Sequence, residues 1–263
     1  MNRVLMRKWL RKAAVVGGKA AGAYHSSQRA LAVDAEEWLR LASRAAALKF
    51  KDTLSGTFPS DVMADHAGLM LSTDREWCIR WVAFDLPSSF VRGGSHWMTA
   101  CGARKMEEQE FEIVALYSLS SNTLFHAARI EGDCRKNNAT LTLKPKYTTE
   151  DLRVGLLVED GSNDWMPDWA PLNKLLQQAR WAPLVTGPLS SFAALSTGAT
   201  DVLLVPPAFV HSEAAAMGEL LAMSAGAVAW QGSGSFGGWK FYAHPTVARE
   251  LKLPSEAAYA GRF

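Results

Sequence analysis

The chain has 263 residues with a formal net charge of +2, of which 48% are hydrophobic and 21% charged, and it contains ten tryptophans. This balance excludes a disordered chain and a long all-helical rod, and the length allows one large domain or two small ones. Three widely spaced cysteines fit neither a disulfide framework nor a zinc pattern, which favours a reducing compartment.

The positive charge is concentrated at the N-terminus, because residues 1–33 carry seven basic residues and no acidic one. Val4, Leu5, Trp9 and Leu10 fall on one side of a helix there. The composition is typical of a mitochondrial targeting sequence, and the alternatives are a solvated basic helix in a cytoplasmic protein or an arm that docks on RNA or an acidic protein surface. We predict a basic N-terminal extension over 1–33 with these docking candidates: Arg7, Lys8, Arg11 and Lys12.

The segment that follows begins with one helix and continues as a sheet. Asp34 is a suitable N-cap, and apolar residues with helical spacing then predict a helix to about Lys51. Residues 52–74 carry mixed signals and predict mostly irregular structure. Alternating or apolar runs predict strands of a largely antiparallel sheet over 77–84, 96–101, 111–118 and 123–129.

The character of the chain changes near residue 148, where strands and helices begin to alternate. A short strand over 140–143 precedes the change. Helices are predicted over 170–180, 190–197, 213–224 and 245–251. Strands are predicted over 153–158, 182–185, 201–205, 228–231 and 239–243. No stretch approaches the ~20 apolar residues of a membrane span, which predicts a soluble or peripheral protein.

Five segments carry motifs of one known family in the family's own order. Their positions are 81–97, 124–143, 187–207, 213–228 and 242–251. Together they resemble the inositol monophosphatases, which hydrolyse small phosphate monoesters with magnesium. The resemblance covers residues 34–263 and implies a layered α-β-α-β-α sandwich with a helix-plus-sheet half over 34–147 and an alternating α/β half over 148–263.

The resemblance also implies that most of the metal-binding carboxylates are lost. The family holds two or three Mg²⁺ ions with clustered carboxylates, because a hard cation needs several oxygen ligands. In the signature loop the first aspartate is replaced by Val82, the second survives as Asp85, and the Gly-Thr pair has become Leu86-Pro87. The paired glutamates of the family fall at Leu71-Ser72, and neither residue is acidic.

A second retained carboxylate depends on the register of a later helix. The apolar pattern places the family's Trp-Asp pair at Glu213-Ala214, and a shift of one residue puts Glu213 at the aspartate position. We therefore expect no bound metal or cofactor and no catalytic residue, with Asp85 as a vestige. If the chain is an active enzyme, Mg²⁺ is its cofactor and Asp85 and Glu213 hold it, with Asp65 or Asp201 as further ligands.

The first half is expected to be shortened, because only residues 52–65 are available for the family's second long helix. Such a deletion opens one side of the fold, creates a binding surface or a need for a partner, and leaves homodimer formation open. The Trp-rich segment 164–169 adds two interface candidates, because exposed aromatic residues are favoured in protein interfaces. Those two residues are Trp165 and Trp169, and packing onto their own domain is the equal alternative.

These observations lead to three hypotheses. The first is a non-catalytic inositol monophosphatase-like protein that is a structural or accessory subunit of a larger assembly, such as a mitochondrial ribosome or respiratory complex. Its partners are protein subunits, with RNA as a candidate partner of the basic segment. The second is a divergent Mg²⁺-dependent phosphomonoesterase acting on a sugar, inositol or nucleotide phosphate. The third is a sensor that binds a phosphate ligand without hydrolysing it.

Overall fold

The computed structural model of the protein describes residues 3–28, 34–55, 63–64, 69–71, 77–91, 94, 97–144, 152–157, 184–232, 237–251 and 255–259. The chain divides into two compact units, Met1–Ala139 and Thr140–Phe263. The predicted change of character at residue 148 therefore lies within the second unit. None of the described helices is long and apolar enough to span a membrane.

The first unit combines helices with an antiparallel sheet. Its helices are α1 (Arg3–Gln28), α2 (Ala35–Ser55) and α3 (Pro87–Val91). The sheet contains, in chain order and in spatial order, β1 (Met63–Ala64), β2 (Leu69–Leu71), β3 (Trp77–Val82), β4 (Met98–Lys105), β5 (Ile113–Ser118), β6 (Thr123–Ala128), β7 (Asp133–Lys136) and β8 (Ala139–Thr140). Consecutive strands pair as neighbours, and α3 lies in the connection between β3 and β4.

Helix α1 belongs to the core of the first unit. Its apolar residues recur every three to four positions and are fully buried together with residues of α2 and the sheet. Among the described apolar side chains of α1, these are fully buried: Met6, Leu10, Ala13, Ala14 and Ala21. The side chains of Thr99 and Cys101 on β4 also donate to backbone carbonyls of α1, those of Ala14 and Leu10, at 3.3 and 3.1 Å.

Two parts of the sequence interpretation are corrected here. Residues 1–33 were assigned to an extension, whereas residues 3–28 form a core helix, because their apolar positions are covered by α2 and the sheet. The first half was expected to lack one long helix, whereas α1 and α2 supply two long helices before the sheet. Both differences have the same cause: when residues 1–33 are treated as an extension, only one long helix remains before the sheet.

The second unit is built on a mixed sheet. Its strands are β9 (Val154–Leu157), β10 (Leu184–Thr186), β11 (Val202–Val205), β12 (Val228–Gly232), β13 (Lys240–Ala243) and β14 (Ser255–Tyr259), in the spatial order β10-β9-β11-β13-β12-β14. Strands β10, β9 and β11 are parallel, and the remaining pairs are antiparallel. The helices are α4 (Pro188–Ser196), α5 (Pro207–Val210), α6 (Glu213–Ser224) and α7 (Pro245–Leu251).

The helix ends of the second unit follow from local chemistry. Helix α6 begins after Ser212, whose hydroxyl oxygen accepts from the backbone N–H of Ala215 at 3.1 Å, and it ends before Gly226, whose φ of 102° favours glycine. These bounds agree with the predicted helix 213–224. The strand predicted over 140–143 is absent beyond β8, and the helix predicted over 170–180 lies outside the described residues.

Candidate functional site

Asp85 lies in the loop after β3, and its carboxylate is engaged by the backbone. The residue is 8% exposed. The backbone N–H of Met98 donates to its Oδ1 at 2.6 Å, and the backbone N–H of Asp85 donates to the carbonyl of Met98 at 3.1 Å. One carboxylate oxygen therefore already fastens this loop to the start of β4.

The surroundings of Asp85 are aromatic. Phe90 on α3 has its ring centroid 4.1 Å from that of Phe84, 5.2 Å from that of Trp97 and 4.9 Å from that of Trp38. Pro87 is the first residue of α3. The backbone N–H at this position has no partner within a helix, so a proline there favours the start of the helix although it lacks that N–H. The loop is packed as a small hydrophobic cluster.

The other carboxylates of the enzyme hypothesis belong to the second unit or lie outside the described residues. Glu213 is the first residue of α6 in the second unit, where a negative charge is favourable at a helix N-terminus. Asp201, also in the second unit, accepts from the backbone N–H of Arg153 at 2.8 Å and from its Nε at 3.3 Å. Asp65 lies outside the described residues. Among the residues that the structure describes, no group of three His, Cys, Asp or Glu side chains could hold a metal ion.

Arg7, a predicted docking residue, is turned toward its own unit. Its guanidinium donates to Nδ1 of His126 and to the carboxylates of Glu131 and Asp133 at 2.7 and 2.6 Å, and its side chain is 15% exposed. Asp133 also accepts from Nε of Arg135 at 3.0 Å. Arg7 therefore joins α1 to β6 and β7, and its predicted docking role stays a prediction.

The remaining cations of α1 differ in their surroundings. Lys8 and Lys12 are exposed, and Nζ of Lys12 lies 4.8 Å from the ring centroid of Trp9. Arg11 is half-buried, and burial together with the charges of Arg7 and Arg135 lowers the pKa of its guanidinium. Lys8 and Lys12 are one helical turn apart and form a small basic surface on the outer side of α1.

Structure comparison identifies the architecture that places these residues. No model of a known protein family matches the sequence, and no curated protein matches it. Extragenic suppressor protein suhB from Bartonella henselae is similar with a TM-score of 0.75 at 14% identity, over 95% of this chain and 97% of that chain. The chain has the inositol monophosphatase fold. Mycobacterium tuberculosis SuhB is similar at a TM-score of 0.70 and 18% identity, over 94% of both chains.

The inositol monophosphatase fold extends over nearly the whole chain. The inositol monophosphatase from Anabaena (Nostoc) matches with a TM-score of 0.69 at 13% identity, over 97% of this chain and 98% of that chain. Coverage of this extent on both sides agrees with α1 and α2 being two regular helices of the fold. The predicted mixed α/β sandwich is thereby confirmed.

Within the inositol monophosphatase fold, the structure tests only part of the predicted site. Asp85 lies in the first unit and Glu213 in the second, and Trp165 and Trp169 lie outside the described residues. Two features were not predicted. One is buried His126 beside Arg7. The other is a cavity of about 430 Å³ in the second unit. Both join residues that are distant in the sequence, so no local motif signals them.

Proposed function

We propose that this protein is a non-catalytic relative of the inositol monophosphatases by fold, acting as an accessory subunit of a larger assembly. The observation that carries the proposal is the loop of Asp85. Its one acidic side chain is buried, is bound by the N–H of Met98, and lies in a loop packed around Phe84, Phe90 and Trp97.

Magnesium chemistry supports this proposal. Mg²⁺ is held by carboxylates, phosphates and waters in a near-octahedral shell, and each ligand oxygen needs free lone pairs and open space. The side chains of Val82 and Leu86 supply no oxygen ligand, and one oxygen of Asp85 already accepts from a backbone N–H. A loop with this chemistry favours packing over cation binding.

The test is a phosphate-release assay on the purified full chain with Mg²⁺ and with Mn²⁺. The substrates are inositol 1-phosphate, fructose 1,6-bisphosphate and 2′-AMP. We expect release at the level of the protein-free blank, and no change in Asp85→Asn. Metal-dependent turnover that is lost in both Asp85→Asn and Glu213→Gln would overturn the proposal and support the divergent phosphomonoesterase.

The subunit role depends on a contact surface, and the exposed Lys8 and Lys12 support one on α1. We propose an acidic protein surface as the partner of this surface, with RNA as the competing partner. The test is sedimentation of the tagged protein in lysate of its source cells, with and without ribonuclease. We expect Lys8→Glu/Lys12→Glu to move the protein from a large particle to the monomer fraction, while Lys51→Glu on α2 has no effect. If ribonuclease moves the wild-type protein out of the large particle, the partner is RNA instead of a protein. If the wild-type protein sediments as a monomer, the subunit role is contradicted.

We also propose that the protein is located in mitochondria, based on the basic, acid-free composition of residues 1–33. Because α1 supplies five fully buried residues to the core, we expect the segment to be retained after import. The test combines fluorescence localisation with mass spectrometry of the N-terminus. Cytoplasmic fluorescence would overturn the setting, and a mature chain that begins after residue 33 would overturn retention.

A further inference from the structure

The second unit contains a cavity at the end of its sheet opposite to Glu213. The cavity has a volume of about 430 Å³. Arg153 and Asp201 immediately precede the parallel strands β9 and β11, and His244 immediately follows the antiparallel β13, so these residues meet at one edge. Glu213 follows the other end of β11, at the start of α6. The cavity is therefore separate from the position of the family's later acidic ligand.

The acidic residue of the cavity wall is neutralised within the wall. Asp201, 8% exposed at its side chain, accepts from the backbone N–H and from Nε of Arg153, and Nη2 of Arg153 also donates to the carbonyl of Gly198. The pair is thus fixed in place and contributes no net charge. Lys144, which is exposed, is then the uncompensated charge among the lining residues.

His244 supplies a second donor to the cavity wall. The backbone N–H of Thr246 donates to its Nδ1 at 3.2 Å, and the hydroxyl of Thr246 lies 2.8 Å from the same atom. Because Nδ1 accepts, the proton of the neutral ring lies on Nε2. Burial lowers the pKa of His244, so the ring is a neutral donor near pH 7.

The remaining lining residues add hydroxyl groups and an apolar floor. Thr140 is the last residue of β8, and Thr142 lies in the segment that follows it. The backbone N–H of Leu143 in that segment donates to the carbonyl of Ala225 at 2.7 Å. The segment is therefore tied to the end of α6. Leu141, Leu143 and Val247 supply the apolar part of the wall. A cavity of this volume, whose lining combines apolar side chains with a few polar groups, is typical of small-molecule sites.

We propose that this cavity binds a small phosphomonoester, with Lys144 as the charge partner of the phosphate and His244 Nε2 and the threonine hydroxyls as hydrogen-bond donors. The site requires no metal and no catalytic carboxylate. It goes beyond the accessory role proposed above and would give that subunit a ligand-binding function.

The experiment is isothermal titration calorimetry of the full chain without divalent metal, with ribose 5-phosphate as the probe, and with inorganic phosphate and ribose as parallel arms. We expect ribose 5-phosphate to bind more tightly than inorganic phosphate and ribose not to bind. Lys144→Glu should weaken binding by at least about tenfold, because it replaces a charge-assisted contact by repulsion. Thr142→Val should weaken it to a smaller extent.

Two controls locate the site. Lys136→Glu reverses an exposed charge in the first unit and should leave the affinity unchanged. Asp85→Asn should also leave it unchanged, whereas loss of binding in Asp85→Asn would place the ligand at the family's catalytic loop instead. Absence of heat with ribose 5-phosphate, or equal affinity in Lys144→Glu, would overturn the proposal without bearing on phosphate release.

Discussion

His126 is held in its neutral form by its burial and by the arginine that contacts it. Its side chain is buried, and its Nδ1 accepts from the guanidinium of Arg7, so that protonation of Nδ1 would break the contact and place two cations together. Burial first, and then the charges of Arg7 and Arg11, lower the pKa of His126 from 6.5 to about 4. A buried histidine of this kind makes stability depend on pH.

The direction of that dependence follows from proton binding. Between pH 6.5 and about 4 the unfolded chain binds a proton at His126 that the folded chain does not, so the free energy of unfolding falls as the pH is lowered. The loss from this residue is about 2 kcal/mol between pH 7 and pH 5. Urea unfolding at the two pH values measures it.

The matched variant for this prediction is His126→Gln, whose side-chain oxygen still accepts from Arg7 but does not titrate. Its unfolding free energy should fall less between pH 7 and pH 5 than that of the wild type, by about 2 kcal/mol. Equal losses in the two proteins would show that His126 is protonated in the folded state at pH 5, contrary to its contact with Arg7.

The hydrogen bond between Asp85 and Met98 should also contribute to stability. Asp85→Ala leaves the N–H of Met98 without its buried acceptor, and we expect it to lower the free energy of unfolding by about 1–3 kcal/mol. Asp85→Asn retains an oxygen acceptor and should cost less. Chemical denaturation of both variants measures the difference, and a tolerated alanine would show that the bond to Met98 contributes little to stability.

At the scale of elements, the contact between α1 and the sheet depends on small residues. A Cβ atom added at Gly18 would lie 2.6 Å from Cδ1 of Tyr117 and 2.8 Å from Oγ1 of Thr99. Tyr117 is buried, and Thr99 is held by its bond to the carbonyl of Ala14, so neither side chain moves easily. The helix therefore approaches β4 and β5 closely at this position.

Gly18→Ala tests this close approach. Alanine raises the helix propensity of α1 by up to about 1 kcal/mol, yet overpacking typically costs 1–3 kcal/mol. We expect the variant to be less stable than the wild type in thermal and chemical unfolding. Lys19→Ala on the exposed side of the same helix is the control and should change stability by less than about 0.5 kcal/mol. A stabilised Gly18→Ala would mean that α1 shifts without cost.

Elements with strong local signals could be predicted from the sequence. Helix α6 was predicted with its observed bounds, because an apolar helical pattern ends at Ala225-Gly226. Strand β7 was missed because Asp133, Arg135 and Lys136 are polar, and its pairing with β6 rather than its composition holds it in the sheet. The core role of α1 was missed because Gly17, Gly18 and Gly22 gain a meaning only against the side chains of the sheet.

At the scale of the whole molecule, the N-terminal segment is required for folding. Removal of residues 1–33 uncovers β4 and β5 and deletes Arg7, which leaves Glu131 and Asp133 without this partner. We expect the truncated protein to be insoluble or to lose its near-ultraviolet circular dichroism. The control is Lys8→Ala/Lys12→Ala, which removes two positive charges and keeps α1. We expect this variant to fold normally. A soluble, cooperatively folding truncation would restore the interpretation of these residues as an extension.

The candidate site was less accessible to sequence reasoning than the fold. Asp85 could be singled out from the sequence because the residues around it resemble a known motif. Its bond to Met98 could not, because it depends on how the loop meets β4. The cavity of the second unit combines residues from 140 to 247, and topology alone brings Arg153, Asp201 and His244 to one edge of the sheet.

The hydrogen bond between Asp85 and Met98 has a consequence for how relatives of this protein are assigned. An aspartate at this position has a structural role whether or not the chain hydrolyses anything, because its carboxylate accepts from a buried backbone N–H. The presence of that aspartate alone therefore does not distinguish enzymes from non-enzymes. The residues at positions 82, 86 and 87 are more informative, because acidic or hydroxyl side chains there could add oxygen ligands to a metal site, which the side chains of Val82, Leu86 and Pro87 cannot do.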